Sequence, residues 1–170
     1  MNSEETLELE RIQRGYKSTG LWDHVKMYKF CKEGYLECVR FCHENGWPWP
    51  PDATYWAVYF NKMDILDYCL AQGCSWKSDS IVCAAHAKNL DMLKYCHEHG
   101  CPLDWEATFY AIRDENIAML EYLYEQEAPF CVLHKKQIPE ASKEFLDIYG
   151  EAWKSRSFDV PLHWMKPAMH

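Results

Sequence analysis

Apolar side chains recur along this chain in columns 27 residues apart. Leu36, Met63, Leu90 and Ile117 form one column, and Val39, Leu66, Leu93 and Leu120 a second. Phe41, Tyr68, Tyr95 and Tyr122 form a third, and Cys42, Cys69, Cys96 and Leu123 a fourth. Gly46, Gly73 and Gly100 keep the same step, with Ala57, Ala84 and Ala111 in another column and Trp49, Trp76, Leu103 and Phe130 in the last. Columns held in one register mark an internal repeat.

Within a unit the period is helical. Ile81, Ala84 and Ala85 stand at i, i+3 and i+4 and predict a short first helix, which Asn89 interrupts. Leu90, Leu93, Tyr95 and Cys96 predict a second helix of roughly ten residues. Gly100 follows as a left-handed C-cap and Pro102 stops continuation, while Ser78 or Asp79 can cap the first helix. Helices this short are marginal alone, so neighbouring units must bury the columns against one another.

The period sets the organisation: four units at 25–49, 50–76, 77–103 and 104–130. Residues 1–24 read as an N-terminal capping half-repeat, because Leu9-Glu10-Arg11-Ile12 precedes Leu36-Glu37-Cys38-Val39 by 27 positions. Ser3 would cap its helix, with Glu5 in the first turn. Residues 131–150 form a C-terminal capping region with an amphipathic helix over 140–149 (Ala141, Phe145, Leu146, Tyr149). Residues 151–170 carry Trp153, Phe158, Trp164 and two prolines without helical period, which predicts an extended tail.

Composition narrows the function classes. The chain has 170 residues, 48% of them hydrophobic, enough for one domain with a sizeable core. Eighteen basic against 26 acidic residues leave a net charge of −8, which weighs against non-specific nucleic-acid binding and against anionic membranes. The longest apolar run, Tyr55 to Phe60, is too short to span a bilayer. Met1 to Glu5 is acidic where a signal peptide would be basic. The nine cysteines are odd in number and suit reduced thiols. The expectation is a soluble, intracellular, cytoplasmic protein.

The segment Gly34-Tyr35-Leu36-Glu37-Cys38-Val39-Arg40-Phe41-Cys42-His43-Glu44-Asn45-Gly46 resembles the second helix of an ankyrin repeat, G-H-x-E-V-V-x-L-L-L-x-x-G. Ala57, Ala84 and Ala111 sit where that motif has the first alanine of its A-A pair. The resemblance covers residues 25 to 130. It departs from the usual 33-residue unit, with Asp52-Ala53-Thr54-Tyr55 in place of T-P-L-H and a tight turn in place of the β-hairpin finger. This short form, with its H-E-N-G-x-P-W ends, is similar to ankyrin-type repeats abundant in large DNA viruses of amoebae. The resemblance implies an all-α, ankyrin-like helical-repeat solenoid with short inter-repeat turns and capping half-repeats. It also implies a non-enzymatic scaffold for a protein partner, whose identity and whose relation to self-association stay open.

On the ankyrin arrangement, the concave face comes from first-helix positions around the alanine column: Lys29 and Lys32; Trp56, Tyr59 and Phe60; Cys83 and His86; Tyr110, Arg113 and Asp114. Trp56, Tyr59, Phe60, His86, Tyr110 and Arg113 are the expected partner surface, because aromatic and arginine side chains dominate binding hot spots. The competing reading is a rolled first helix whose aromatics fill the core. Glu37, Arg40, Glu44, Asp64, Asp67, Asp91, Lys94, Glu98, Glu121 and Glu125 read as a solvated charged face. Trp49 and Trp76 share a column with leucine and phenylalanine and read as packing.

Two clusters invite chemistry. Cys96, His97, His99 and Cys101 are dense in metal ligands, but a zinc site wants pairs converging from separate elements and these cysteines share apolar columns. Cys83 and His86 lie at i, i+3, yet nucleophilic catalysis also needs an orienting group and an oxyanion loop. No metal, cofactor or enzymatic activity is therefore expected. Ile138-Pro139-Glu140 through Ile148-Tyr149 is similar to the L-P-x-E opening of F-box helices, which implies an alternative: a viral adaptor delivering host targets to a ubiquitin ligase. A simple cap explains the same residues. A structural, minor virion protein is the third reading.

Overall fold

The computed structural model describes residues 3–19, 24–77, 79–129 and 140–154, with side chains over 3–15, 27–77, 79–129 and 142–150. Among the described residues every regular element is an α-helix: α1 (Ser3–Thr19), α2 (His24–Glu33), α3 (Leu36–Glu44), α4 (Ala53–Tyr59), α5 (Met63–Ala71), α6 (Ser80–His86), α7 (Leu90–Glu98), α8 (Trp105–Arg113), α9 (Ile117–Glu125) and α10 (Glu140–Lys154). None of them is long and apolar enough to cross a membrane.

The sequence period recurs in the element boundaries. The second helices α3, α5, α7 and α9 start at residues 36, 63, 90 and 117 and end at 44, 71, 98 and 125. Their ends share one hydrogen-bonding scheme. After α3 the Gly46 N–H donates to the His43 carbonyl and the Trp47 N–H to the Cys42 carbonyl; after α7, Gly100 and Cys101 donate to His97 and Cys96 in the same way. This double bond closes a helix on a left-handed residue and satisfies carbonyls the helix leaves open. The left-handed position is glycine at Gly46, Gly73 and Gly100 (φ near +80° to +86°) and Glu127 after α9 (φ 54°).

The first helices end the same way and pass directly into the second. Lys62, Asn89 and Asn116 donate backward to Ala57, Ala84 and Ala111 while standing as N-caps of α5, α7 and α9. A small residue in that column lets the turn close over it. Asn89, expected to interrupt a helix, accepts from the Met92 N–H at 3.0 Å, and Asn116 accepts from Met119 at 3.1 Å. At α3 the N-cap Tyr35 makes no such bond; Glu5 of α1 reaches across and accepts from the Glu37 N–H at 2.9 Å. Of the two residues expected to cap α6, Asp79 directly precedes the helix and Ser78 lies outside the described residues.

The chain divides into two compact units, residues 1–80 and 81–170. In the first, α1 packs on α3, α2 on α3 and α4, and α4 on α5. Its core holds Met27, Phe30, Cys31, Val39, Cys42, Ile65, Leu66 and Cys69. Trp49 stacks on His43 with centroids 4.8 Å apart and meets Tyr68 at 6.0 Å, so it packs between consecutive 27-residue segments. In the second unit α8 and α10 pack on α9, and the buried side chains include Ile112, Leu120 and Leu123 of α8 and α9 and Leu93 and Cys96 of α7.

The bounds of the C-terminal helix are corrected. The C-terminal helix does not stop at 149: α10 continues through Gly150 to Lys154, so 151–154 are helical rather than extended. A single glycine costs a helix about 1 kcal/mol without ending it, and the following Glu-Ala-Trp-Lys favours continuation. Residues 155–170 and Phe130 lie outside the described residues. Within its unit α10 is held by buried Ser142, which donates to the Ile112 carbonyl at 2.8 Å, and by buried Phe145.

Candidate functional site

The burial stripe on α4 decides which side chains reach the surface. Ala53, Thr54, Ala57 and Val58 are buried, which turns Tyr55, Trp56, Tyr59 and Phe60 outward. The helix is therefore not rolled: its aromatics leave the core to small side chains. Tyr59 is 52% exposed, and Trp56 and Phe60 are half-buried against each other at 5.9 Å in a stacked arrangement. Tyr59 meets Phe60 edge-on at 5.0 Å and Trp56 at 5.8 Å.

The neighbouring helix α2 completes this cluster. Met27, Phe30 and Cys31 face inward, leaving Tyr28, Lys29 and Lys32 outside. Tyr28 sets its ring edge-on to Trp56 at 4.9 Å, and the Lys32 ammonium lies 5.9 Å from the Phe60 centroid. Tyr28 was not among the expected surface residues. The 27-residue register pairs it with Tyr55 rather than with the positions flanking the alanine column; the inward triple Met27, Phe30 and Cys31 is the signal that places it. Lys29 pairs with Glu8 of α1 at 2.8 Å, which holds the Glu8 carboxyl below the usual range.

Polar bonds fix the foot of α4. The Thr54 hydroxyl donates to the Ser75 carbonyl at 3.1 Å and accepts the Lys77 N–H at 3.4 Å. Lys77 pairs with Asp52 and lies 5.4 Å from the Tyr55 centroid. The outward rings thus stand on a helix held at both the backbone and the side-chain level.

In the second unit the same logic operates on α8. Ala107, Thr108, Ala111 and Ile112 are buried, and Tyr110 and Arg113 fall on the other side. His86, exposed at the end of α6, meets Tyr110 edge-on at 4.9 Å, and the Arg113 guanidinium covers Tyr110 at 4.6 Å. Arg113 makes a two-pronged bond to Asp114 at 2.8 and 3.0 Å, which holds the Asp114 carboxyl down. Of the six expected surface residues, Trp56, Tyr59 and Phe60 form one cluster in the first unit. His86, Tyr110 and Arg113 form another in the second.

Cys83, expected on the same face, is instead buried. A small side chain beside the buried Ala84 and Ala85 sinks into the seam, and burial pushes its thiol up to about 11. His86 turns its ring to Tyr110. The four residues read as metal-like also go separate ways. Cys96 and Cys101 are buried, His97 shares a 2.8 Å hydrogen bond with the Tyr122 hydroxyl, and His99 stacks on Tyr95 at 3.9 Å. Among the described residues no group of three or more metal-ligating side chains is placed to hold an ion. The residues read as a charged face are exposed, except half-buried Lys94, whose ammonium lies 5.4 Å from the Tyr122 centroid.

Comparison with protein-family models, with curated proteins and with solved structures gives no match.

Proposed function

We propose that this chain is a non-enzymatic protein-interaction module of the ankyrin-like helical-repeat type, working in an intracellular, reducing setting. Its partner surface in the first unit is Trp56, Tyr59 and Phe60, extended by Tyr28 and Lys32. His86, Tyr110 and Arg113 are a second contact set in the other unit. The recurrence of paired helices at 27-residue steps supports the repeat reading. The observation that carries the binding reading is the outward ring cluster of α2 and α4. Large rings left at the surface in mutual contact, with alanines on the buried side, form the kind of patch that marks interaction sites.

The α10 contacts favour a capping role for the C-terminal helix: Ser142 and Phe145 are used in docking it within its own unit. The adaptor reading is not needed to explain them.

The test is a side-by-side capture of partners by wild type, Tyr59→Ala and Glu125→Ala, read by mass spectrometry. Tyr59 is the cleanest probe because half its surface is free, whereas Trp56→Ala also removes packing against Tyr28 and Phe60. Tyr59→Ala is expected to weaken the captured complex about tenfold or more, at unchanged helical signal and melting temperature. Glu125→Ala is expected to leave it intact. Equal capture by all three would contradict the proposal.

A further inference from the structure

Two cysteine pairs occupy the same register. Cys69 and Cys74 bracket the end of α5, and Cys96 and Cys101 the end of α7. In each, the second cysteine donates its N–H to the carbonyl of the first, at 3.0 and 2.9 Å, and the intervening glycine closes the second bond of the motif. That geometry turns the chain back so that the two side chains meet, a contact that is usually apolar. The equivalent positions elsewhere hold Cys42 with Trp47 and Leu123 with Ala128. At the end of α5 the two residues so brought together are both cysteines, near enough for each thiol to shift the other's titration.

The pairs differ in access. Cys69 is fully buried but Cys74 is only half-buried, on the segment leading into Ser75–Lys77. Cys96 and Cys101 are both sealed, at 0% and 1% exposure. We propose that Cys69 and Cys74 are a peroxide-sensitive site that closes to a reversible intrachain disulfide, while the pair at Cys96 and Cys101 stays reduced. Electrostatics supports the contrast: the Cys69 thiol lowers the Cys74 pKa, whereas burial pushes Cys96 up to about 12 and Cys101 to about 11. The thiolate is the attacking form.

The chemistry balances with hydrogen peroxide as the oxidant. The Cys74 thiolate attacks one peroxide oxygen, the O–O bond breaks, and the released hydroxide takes a proton to become water, leaving Cys74 as the sulfenic acid. The Cys69 sulfur then attacks the Cys74 sulfur. The S–O bond breaks and the hydroxide leaves as water with the Cys69 proton. The two sulfurs together lose two electrons and the peroxide gains them. The segment so locked carries the Ser75 carbonyl and Lys77 N–H that bond Thr54, at the foot of α4.

The test treats the full chain with graded hydrogen peroxide, then alkylates, digests with trypsin and weighs the peptides. Lys62 and Lys77 bracket both α5 cysteines, so one peptide reports the pair; Lys94 and Arg113 do the same for Cys96 and Cys101. The expected result is a 63–77 peptide about 2 Da lighter and unalkylated, at a dose about tenfold below that which touches the 95–113 peptide. Dithiothreitol should restore it. Cys74→Ser should abolish the species and Cys101→Ser should leave it unchanged. Simultaneous oxidation of both peptides, a link from Cys74 to the nearby buried Cys31 or to a second molecule, or full alkylation throughout the range would overturn the proposal.

Discussion

At the scale of single residues, the most informative bonds are those of two threonines. Thr54 and Thr108 are both buried, and each donates to the carbonyl of the loop beyond its helix pair, Ser75 and Pro129 respectively. Thr108→Val would keep the shape and leave the Pro129 carbonyl short of this donor, at a cost of about 1–2 kcal/mol. Thr54→Val should cost more, because its oxygen also accepts from the Lys77 N–H. Urea denaturation of the two variants checks this, and unchanged midpoints would contradict it. These residues were not legible from hydrophobic pattern, since their column reads Thr54, Ile81, Thr108 and mixes a hydrogen-bonding role with plain packing. Trp49 was legible for the opposite reason: its column contains leucine, so packing alone could account for it.

At the scale of elements, the turns carry the period and also its strain. The first-helix turns hold a left-handed residue at Gly34, Asn61, Lys88 and Glu115, and Glu127 follows α9 in the same conformation. A side chain there meets its own backbone, a cost of order 1 kcal/mol that glycine avoids. Glu115→Gly and Glu127→Gly should therefore each stabilise the fold by about 0.5–1 kcal/mol, the gain reduced by glycine's greater freedom in the unfolded chain. Gly100→Ala should destabilise by about 1 kcal/mol through backbone strain alone, because nothing lies within 4 Å of an added Cβ. Thermal melts of the three variants decide it; a stabilised Gly100→Ala would contradict the turn assignment. The glycine column announced the ends of the second helices in the sequence. The first-helix turns did not announce themselves, because only Gly34 of their four residues is a glycine, and while Asn61 tolerates the left-handed region, Lys88 and Glu115 are disfavoured there. The length of α10 was not legible because its apolar period ends at Tyr149, whereas the helix runs on through Gly150 to Lys154.

At the scale of the whole molecule, buried thiols set the alkaline limit of stability. Burial pushes Cys31, Cys38 and Cys96 up to about 12 and Cys83 and Cys101 to about 11, against about 8.5 for an unfolded thiol. Raised folded values mean that the contribution is whole below about pH 8 and is lost as pH climbs through 9 toward 11–12, because the unfolded chain sheds protons that the folded chain keeps. Each thiol adds a slope of up to about 1.4 kcal/mol per pH unit in that window. The melting temperature in reducing buffer should hold near neutrality and fall steeply between pH 8.5 and about 10.5. A flat profile across that range would contradict the burial of these side chains. The five thiols are divided between the two units, so both should lose stability.

The functional reading rests on the rings of α2 and α4 being the surface a partner covers. Hydroxyl-radical footprinting of the captured complex, with side-chain oxidation read residue by residue, tests this most directly. Tyr28, Trp56 and Tyr59 should lose reactivity on complex formation, while Tyr68 and Tyr122, on second helices, should keep theirs. Unchanged oxidation of Tyr59 alongside protection elsewhere would show that the partner binds another face and would end this account of the site.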